Sequence, residues 1–301
     1  MGKNPEKKQN TRMKIFINGK RCQSATLTQV EKMLNELAAG GHILVADASY
    51  LAKLKIADAV NLPFHDVAAC VPDDADLALS IGGDGTFLRT TKKVAHKGIP
   101  IAGINTGRLG YLTAADLSDA SAFAADLMAG NYTIEQRTML QACCGDGINI
   151  DYPMALNEVA LLRHDSSAVV SIEVEVDGDH LTTYKADGLI VSTPTGSTAY
   201  NLSCGGPIIE PTAANIVLTP ISPHSLNMRP LVLPDTARVK ALAHTRSRNY
   251  QLSLDGNATI LPDGCPVTIT RAPYAVKVIQ SKKHSFASTL RSKLLWGEDV
   301  R

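Results

Sequence analysis

The sequence predicts an α/β N-terminal domain built on a doubly wound, mostly parallel sheet, followed by a β-rich, sandwich-like C-terminal domain. Three observations predict it. Up to residue 132, short apolar runs alternate with stretches of helical periodicity, the pattern of successive βα units. Two glycine-rich turns, Gly82-Gly83-Asp84-Gly85 and residues 105–111, follow apolar runs, at the strand ends where such sheets bind ligands. From about Thr133 the helical signal gives way to short strands. In one of them, 170–176, Val170, Ile172, Val174 and Val176 alternate with Ser171, Glu173 and Glu175. The expected boundaries are a disordered tail over 1–12, the α/β domain over 13–132 and the β-rich domain over 133–281. A terminal helix over 282–301 is expected to dock back on the protein.

Residues 13–18 (M-K-I-F-I-N) read as the first strand. Leu27, Val30, Met33, Leu34 and Leu37 recur at helical spacing over 27–39, and Gly40-Gly41 stops that helix. A second strand follows at 42–46 and a helix at 48–60. The acidic patch Asp73-Asp74-Asp76 leads into the central strand 77–81, then the Gly82–Gly85 turn and a helix from Thr86. The next strand, 99–104, runs into Asn105-Thr106-Gly107-Arg108-Leu109-Gly110-Tyr111. In the second domain Asp177-Gly178 signals a hairpin after 170–176. Further strands are expected at 155–162, 189–192, 215–218, 237–243, 250–254, 267–271 and 275–280. Helical signal there is confined to 197–203 and to the amphipathic chain end, 286–296.

Composition removes several classes of function. The chain has 301 residues, 45% of them hydrophobic and 20% charged, with a net charge of +1, so it has no global field for nucleic acid or an anionic membrane. No apolar run approaches the ~20 residues of a membrane span, and the basic start lacks the apolar core of a signal peptide. The six cysteines (Cys22, Cys70, Cys143, Cys144, Cys204, Cys265) show no C-x-x-C spacing, so no metal-ligand set is expected, and reduced thiols in a cytoplasmic protein are.

The chemistry is carried by three constellations. Three glycines around Asp84 cost folding entropy, and a chain keeps them where its backbone bends sharply or approaches a ligand closely. Backbone N–H groups and a helix N-terminus beside that carboxylate suit a phosphate-handling turn that carries its own base. The string lacks the G-x-x-x-x-G-K-[ST] of a P-loop, and Leu88 stands where a dinucleotide fingerprint wants its third glycine. The bland alternative is that Asp84 is a helix N-cap. The second constellation runs from Lys185 and Asp187 to Ser192-Thr193-Pro194-Thr195-Gly196-Ser197-Thr198-Ala199-Tyr200. Its hydroxyls are suited to phosphate, ribose or a base edge, or they merely cap a helix. The third is Asn157-Glu158 inside an apolar run, either an exposed edge or a pair that meets a ligand. Asp255-Gly256-Asn257 reads as a turn.

Taken together, G-G-D-G-T at 82–86, Asn157-Glu158, D-G-L-I-V-S-T-P-T-G-S-T-A-Y at 187–200, the S-x-G-G-P-like segment after Tyr200 and the D-G turn at Asp255 resemble the NAD kinases in order and content. The likeness extends from about residue 13 to the C-terminus. The first motif is shared with diacylglycerol and sphingosine kinases; the 187–200 string is much more specific. The resemblance implies an enzyme that phosphorylates the 2′-hydroxyl of NAD's adenosine ribose, with NAD as substrate and Mg²⁺ accompanying ATP. It implies Asp84 as catalytic base and Gly83, Gly85, Thr86 and Arg89 beside the nucleotides. Asn157 and Glu158 would lie around NAD, with Asp187 toward the nicotinamide side. Thr195, Thr198, Ala199, Tyr200, Asn201, Leu202 and Ser203 would line the dinucleotide site. Lys185 stands where many members have arginine and Asn257 where some have glutamine; both are carried as ligand contacts. The family habit is a homodimer or homotetramer. The rival readings are a lipid or sphingoid kinase built on the same turn and a non-catalytic NAD(H)-binding sensor.

Overall fold

The computed structural model describes residues 12–21, 24–55, 62–107, 110–145, 147–164, 169–282 and 285–297. Residues 1–11 of the expected tail, 56–60 of the expected second helix, and Arg108 and Leu109 of the second glycine turn lie outside the described residues. So do Cys22 and the chain end from 298. The chain divides into two compact units. One comprises the residues up to Glu135 together with those from Lys277 onward; the other is Gln136–Val276.

In the first unit β1 (Lys14–Gly19), β2 (Ile43–Asp47), β3 (Asp66–Ala68), β4 (Leu77–Ile81) and β5 (Ile101–Asn105) form a parallel sheet. The order across the sheet is β3-β2-β1-β4-β5. Helix α1 (Ser24–Ala39) buries Val30, Met33, Leu34 and Leu37, the stripe its sequence spacing predicts. Two further helices follow, α2 (Ala48–Lys55) and α3 (Asp84–Val94). Every residue of β4 is buried, as befits a central parallel strand covered on both faces. The chain turns one way from β1 and the other way from β4, so the topological switch point lies between their C-terminal ends. There the Lys20 N–H bonds the Ile81 carbonyl at 3.0 Å, and the Gly82-Gly83 turn leaves the sheet. Beneath the turn a buried polar network ties α3 down. Asn18 Nδ2 donates to Thr90 Oγ1 (2.9 Å), and Thr90 Oγ1 in turn contacts Ser80 Oγ (3.1 Å) and the Thr86 carbonyl (3.0 Å).

The first unit contains two further short strands, β6 (Ala115–Asp116) and β7 (Tyr132–Arg137), with α4 (Ala120–Met128) between them. The expected strand 275–280 forms as Val276–Ser281, but its place differs from the expectation. It lies in this sheet between β5 and β7, parallel to β5 with Val278 opposite Ile101, rather than in the β-rich domain. Its alternation signals a strand; it carries no information about which sheet will take it. The terminal helix, Phe286–Leu294, has a capping box in which Ser285 and Ser288 exchange side-chain and backbone bonds.

The second unit is built of two six-stranded antiparallel sheets. One runs Leu231–Pro234, Asn215–Ile221, Gly188–Ser192, Glu158–Arg163, Asn249–Leu254, Asn257–Pro262. The other runs Asp179–Ala186, Val170–Val176, Val239–His244, Pro266–Arg271, Leu140–Cys144, Met154–Ala155. Val159, Leu161, Val191, Leu218 and Leu252 of the first share one core with Ile172, Val174, Val239, Val267 and Ile269 of the second, so the unit is a sandwich. Strands at 140–144, 231–234 and 257–262 were not expected from the sequence. The expected run 155–162 is broken at Leu156-Asn157, and the expected helix 197–203 is a 3-10 turn, Thr195–Thr198, followed by one short helix, Tyr200–Ser203. Among the described residues no helix is long and apolar enough to cross a membrane.

Candidate active site

In the first unit the candidates are carried by the turn at the switch point. Gly83 is the N-cap of α3, and Asp84 is the helix's first residue rather than its cap, so the helix starts two residues earlier than expected. The carboxylate leaves the helix and is held elsewhere. It accepts the backbone N–H of Tyr111 at Oδ2 (2.9 Å) and that of Leu112 at Oδ1 (3.2 Å). Gly110 makes the approach possible, since a Cβ there would lie 2.3 Å from Asp84 Oδ1. The second glycine turn is thus the clamp for the first, a role with no sequence signal beyond the glycine itself. Burial, with the nearby Asp84 charge, raises the Tyr111 phenol above its ordinary pKa.

Gly82 has φ +156°, and a Cβ on it would strike Thr86, so the bend needs glycine for steric reasons. Gly83 is different: an added Cβ would meet no protein atom within 4 Å. A Cβ on Gly85 would meet Arg89 Nη1 at 3.8 Å, so these two glycines present open backbone. Thr86 is buried, with Arg89 Nη2 donating to its hydroxyl at 3.0 Å.

In the second unit the structure brings together the Asn157-Glu158 pair and the 193–200 loop. Thr193 N–H donates to the Asn157 carbonyl (2.9 Å), Thr193 Oγ1 to the Leu156 carbonyl (2.6 Å), and Gly196 N–H to Thr193 Oγ1 (3.0 Å). Gly196 lies directly on the pair: a Cβ there would fall 2.0 Å from the Asn157 carbonyl oxygen. Both Asn157 and Glu158 are 8% exposed, so neither lies on a solvated edge. Among the described residues Asn157 Oδ1, Glu158 Oε2 and Thr195 Oγ1 are buried atoms with no hydrogen-bond partner, an arrangement a ligand would complete. Burial pushes the Glu158 carboxyl up to about 7; nearby Asp255 adds to the rise and the Tyr200 N–H partly offsets it. The Tyr200 phenol feels the charges of both Asp187 and Glu158, so these three share one neighbourhood.

Asp255 is the organising residue that sequence reading passed over as a turn. With φ +48° it sits in a left-handed bend, and its carboxylate accepts the N–H groups of Leu156 (2.8 Å), Asn157 (2.8 Å) and Glu158 (3.2 Å). Arg163, also unanticipated, pairs with Asp187 at 3.0 Å. The remaining expected ligand contacts have the following partners and exposure. Asn201 is fully buried and donates from Nδ2 to the Ser197 and Pro207 carbonyls (both 3.1 Å), while its Oδ1 accepts from Thr219 (2.6 Å). Its amide is thereby used to hold the loop. Asn257 is exposed, and its amide turns back on the Leu254 and Asp255 carbonyls. Lys185 is exposed on its strand. Thr198 Oγ1 bonds the Thr195 carbonyl at 3.4 Å; Ala199 and Leu202 are half-buried and Ser203 is exposed.

A carboxylate seated on a glycine turn at the switch point of a doubly wound sheet, in a chain with a β-sandwich unit, belongs to the class of α/β proteins that take phosphorylated ligands at the strand ends. The family model for the ATP-NAD kinase N-terminal domain matches residues 9–132, and that for the ATP-NAD kinase C-terminal domain matches 156–281. The chain is 42% identical over 292 residues to the NAD kinase of Porphyromonas gingivalis, covering 96% of this chain and 99% of that one. It is 47% identical over 228 residues to the NAD kinase of Bacteroides fragilis, covering 76% and 79%. Its fold matches that of a yeast NADH kinase complexed with NADH, with a TM-score of 0.84 at 24% identity over 97% of this chain and 90% of that one. An NAD kinase from Archaeoglobus fulgidus in complex with ATP matches with a TM-score of 0.70 at 24% identity, over 93% and 99%. The chain belongs to the ATP-NAD kinase family.

Proposed function

We propose that Asp84 is the base in the phosphorylation of NAD to NADP, the reaction to which membership of this family assigns the chain. The ribose 2′-hydroxyl attacks the terminal phosphorus of ATP. A new O–P bond forms, the bond to the leaving ADP breaks, and the hydroxyl proton passes to the Asp84 carboxylate as transfer proceeds. The observation that carries this reading is the double grip on that carboxylate by the Tyr111 and Leu112 amides, beside the open backbone of Gly83 and Gly85. A side chain so held is pre-oriented for proton transfer.

Mg²⁺ would enter as part of the triphosphate substrate, whose charge it would offset. The buried, unpartnered atoms of Asn157, Glu158 and Thr195 support a dinucleotide contact in the second unit. With its carboxyl raised to about 7, part of Glu158 keeps its proton at neutral pH and in that form can donate to a ribose or nicotinamide oxygen. A cytoplasmic location and a homodimeric or homotetrameric assembly complete the proposal, by analogy with the family.

Replacing Asp84 with Asn, whose single amide oxygen can accept only one of the two backbone N–H groups, is expected to loosen the clamp locally, keep the overall fold and NAD binding, and lower kcat by ~10²–10⁴. NADP formation from NAD and Mg-ATP, with NAD affinity measured calorimetrically, checks it. Near-normal turnover by Asp84→Asn would remove the base. NAD binding with no NADP from the unaltered chain would favour the sensor reading.

A further inference from the structure

The terminal helix reaches the clamp that holds Asp84. Lys293, in the last turn of Phe286–Leu294, donates from Nζ to the carbonyl oxygen of Gly110. Gly110 is the residue whose missing side chain admits the Asp84 carboxylate, and the next two residues supply both backbone bonds to it. The strap 110–114 that contains them is fastened at its far end, where the Ala114 N–H bonds the Gly103 carbonyl (2.9 Å). At its near end Lys293 fastens it at Gly110, on the peptide that leads directly into Tyr111. An ammonium-to-carbonyl bond is charge-assisted and therefore stronger than a neutral one.

We propose that Lys293 is a positioning residue for phosphoryl transfer: by anchoring Gly110 it keeps the Tyr111 and Leu112 amides, and through them the Asp84 carboxylate, at the angle proton transfer needs. The terminal helix is then part of the catalytic apparatus without touching either substrate. This rests on Asp84 being the base. A displacement of the strap of about 1 Å is the scale at which a distant change lowers turnover by up to ~100-fold.

The test measures kcat and KM of the full chain for NADP formation with Lys293→Met, Lys293→Arg and, as a control on the same helix, Arg291→Ala. Each is made alone and in the Asp84→Asn background. Lys293→Met is expected to lower kcat about tenfold, with both KM values within about twofold and the thermal midpoint lowered by only a few degrees. Lys293→Arg restores most of the loss, and Arg291→Ala changes nothing. In the Asp84→Asn background Lys293→Met has no further effect, because the group it positions is gone. Unchanged kcat in Lys293→Met, or the same fold-loss with and without Asp84, would overturn the proposal. Normal turnover by Asp84→Asn alone would instead remove the base, and with it the reason for the anchor.

Discussion

Glu158 sits in a setting that a carboxyl group disfavours. A carboxyl 8% exposed, with one oxygen unpartnered and Asp255 nearby, binds its proton more tightly folded than unfolded. Its folded pKa of about 7 lies above the unfolded value of 4.5, so its contribution is fully present below pH 4.5 and is lost as pH rises through 7. Glu158→Gln is therefore expected to raise stability at pH 8 by about 3 kcal/mol and to leave it nearly unchanged at pH 4, read by thermal melts at the two pH values. An equal shift at both would show that the carboxyl is not the source. Asn157-Glu158 stood out in the sequence only as two polar residues in an apolar run. Their burial was not legible there, because it is produced by Asp255, about 100 positions away, and by the 193–200 loop lying on top. Asp84 was legible, since three glycines around one acid have few structural uses.

Gly196 in the 193–200 loop and Gly83 in the first glycine turn carry opposite kinds of constraint. Gly196 is packed on backbone that cannot yield, with a would-be Cβ 2.0 Å from the Asn157 carbonyl. Gly196→Ala is expected to destabilise the protein by about 3 kcal/mol or more and to weaken NAD binding, because the loop must lift off the pair. Gly83, with φ −92° and open space around it, tolerates a side chain in the folded protein. Gly83→Ala is expected to stay within about 1 kcal/mol in stability, the loss of a modest cap, yet to raise the KM for nucleotide if the turn takes phosphate. Denaturant melts beside steady-state kinetics separate the two. Periodicity made the strands and α1 readable, whereas the short 3-10 and helical turn at Thr195–Ser203 read as one helix because its hydroxyl cluster imitates a cap.

At the scale of the molecule, the two units differ in how the chain builds them. The sandwich is one continuous stretch, Gln136–Val276, with its own core. The parallel unit is assembled from both ends of the chain, because Val276–Ser281 is inserted between β5 and β7. A fragment of residues 136–276 is expected to fold alone, with β-type circular dichroism and a cooperative melt. A chain ending at residue 275 is expected to keep that signal and to lose the parallel unit's transition. Two intact transitions in the shortened chain would refute this. Local pattern could not foresee the insertion, since a strand's alternation is silent about partners that far away in sequence. It has a consequence for biogenesis. On the ribosome β5 and β7 must wait for the strand that joins them until residues 138–275 have been translated, so the middle of the polypeptide is free to reach its final form before the parallel sheet is complete.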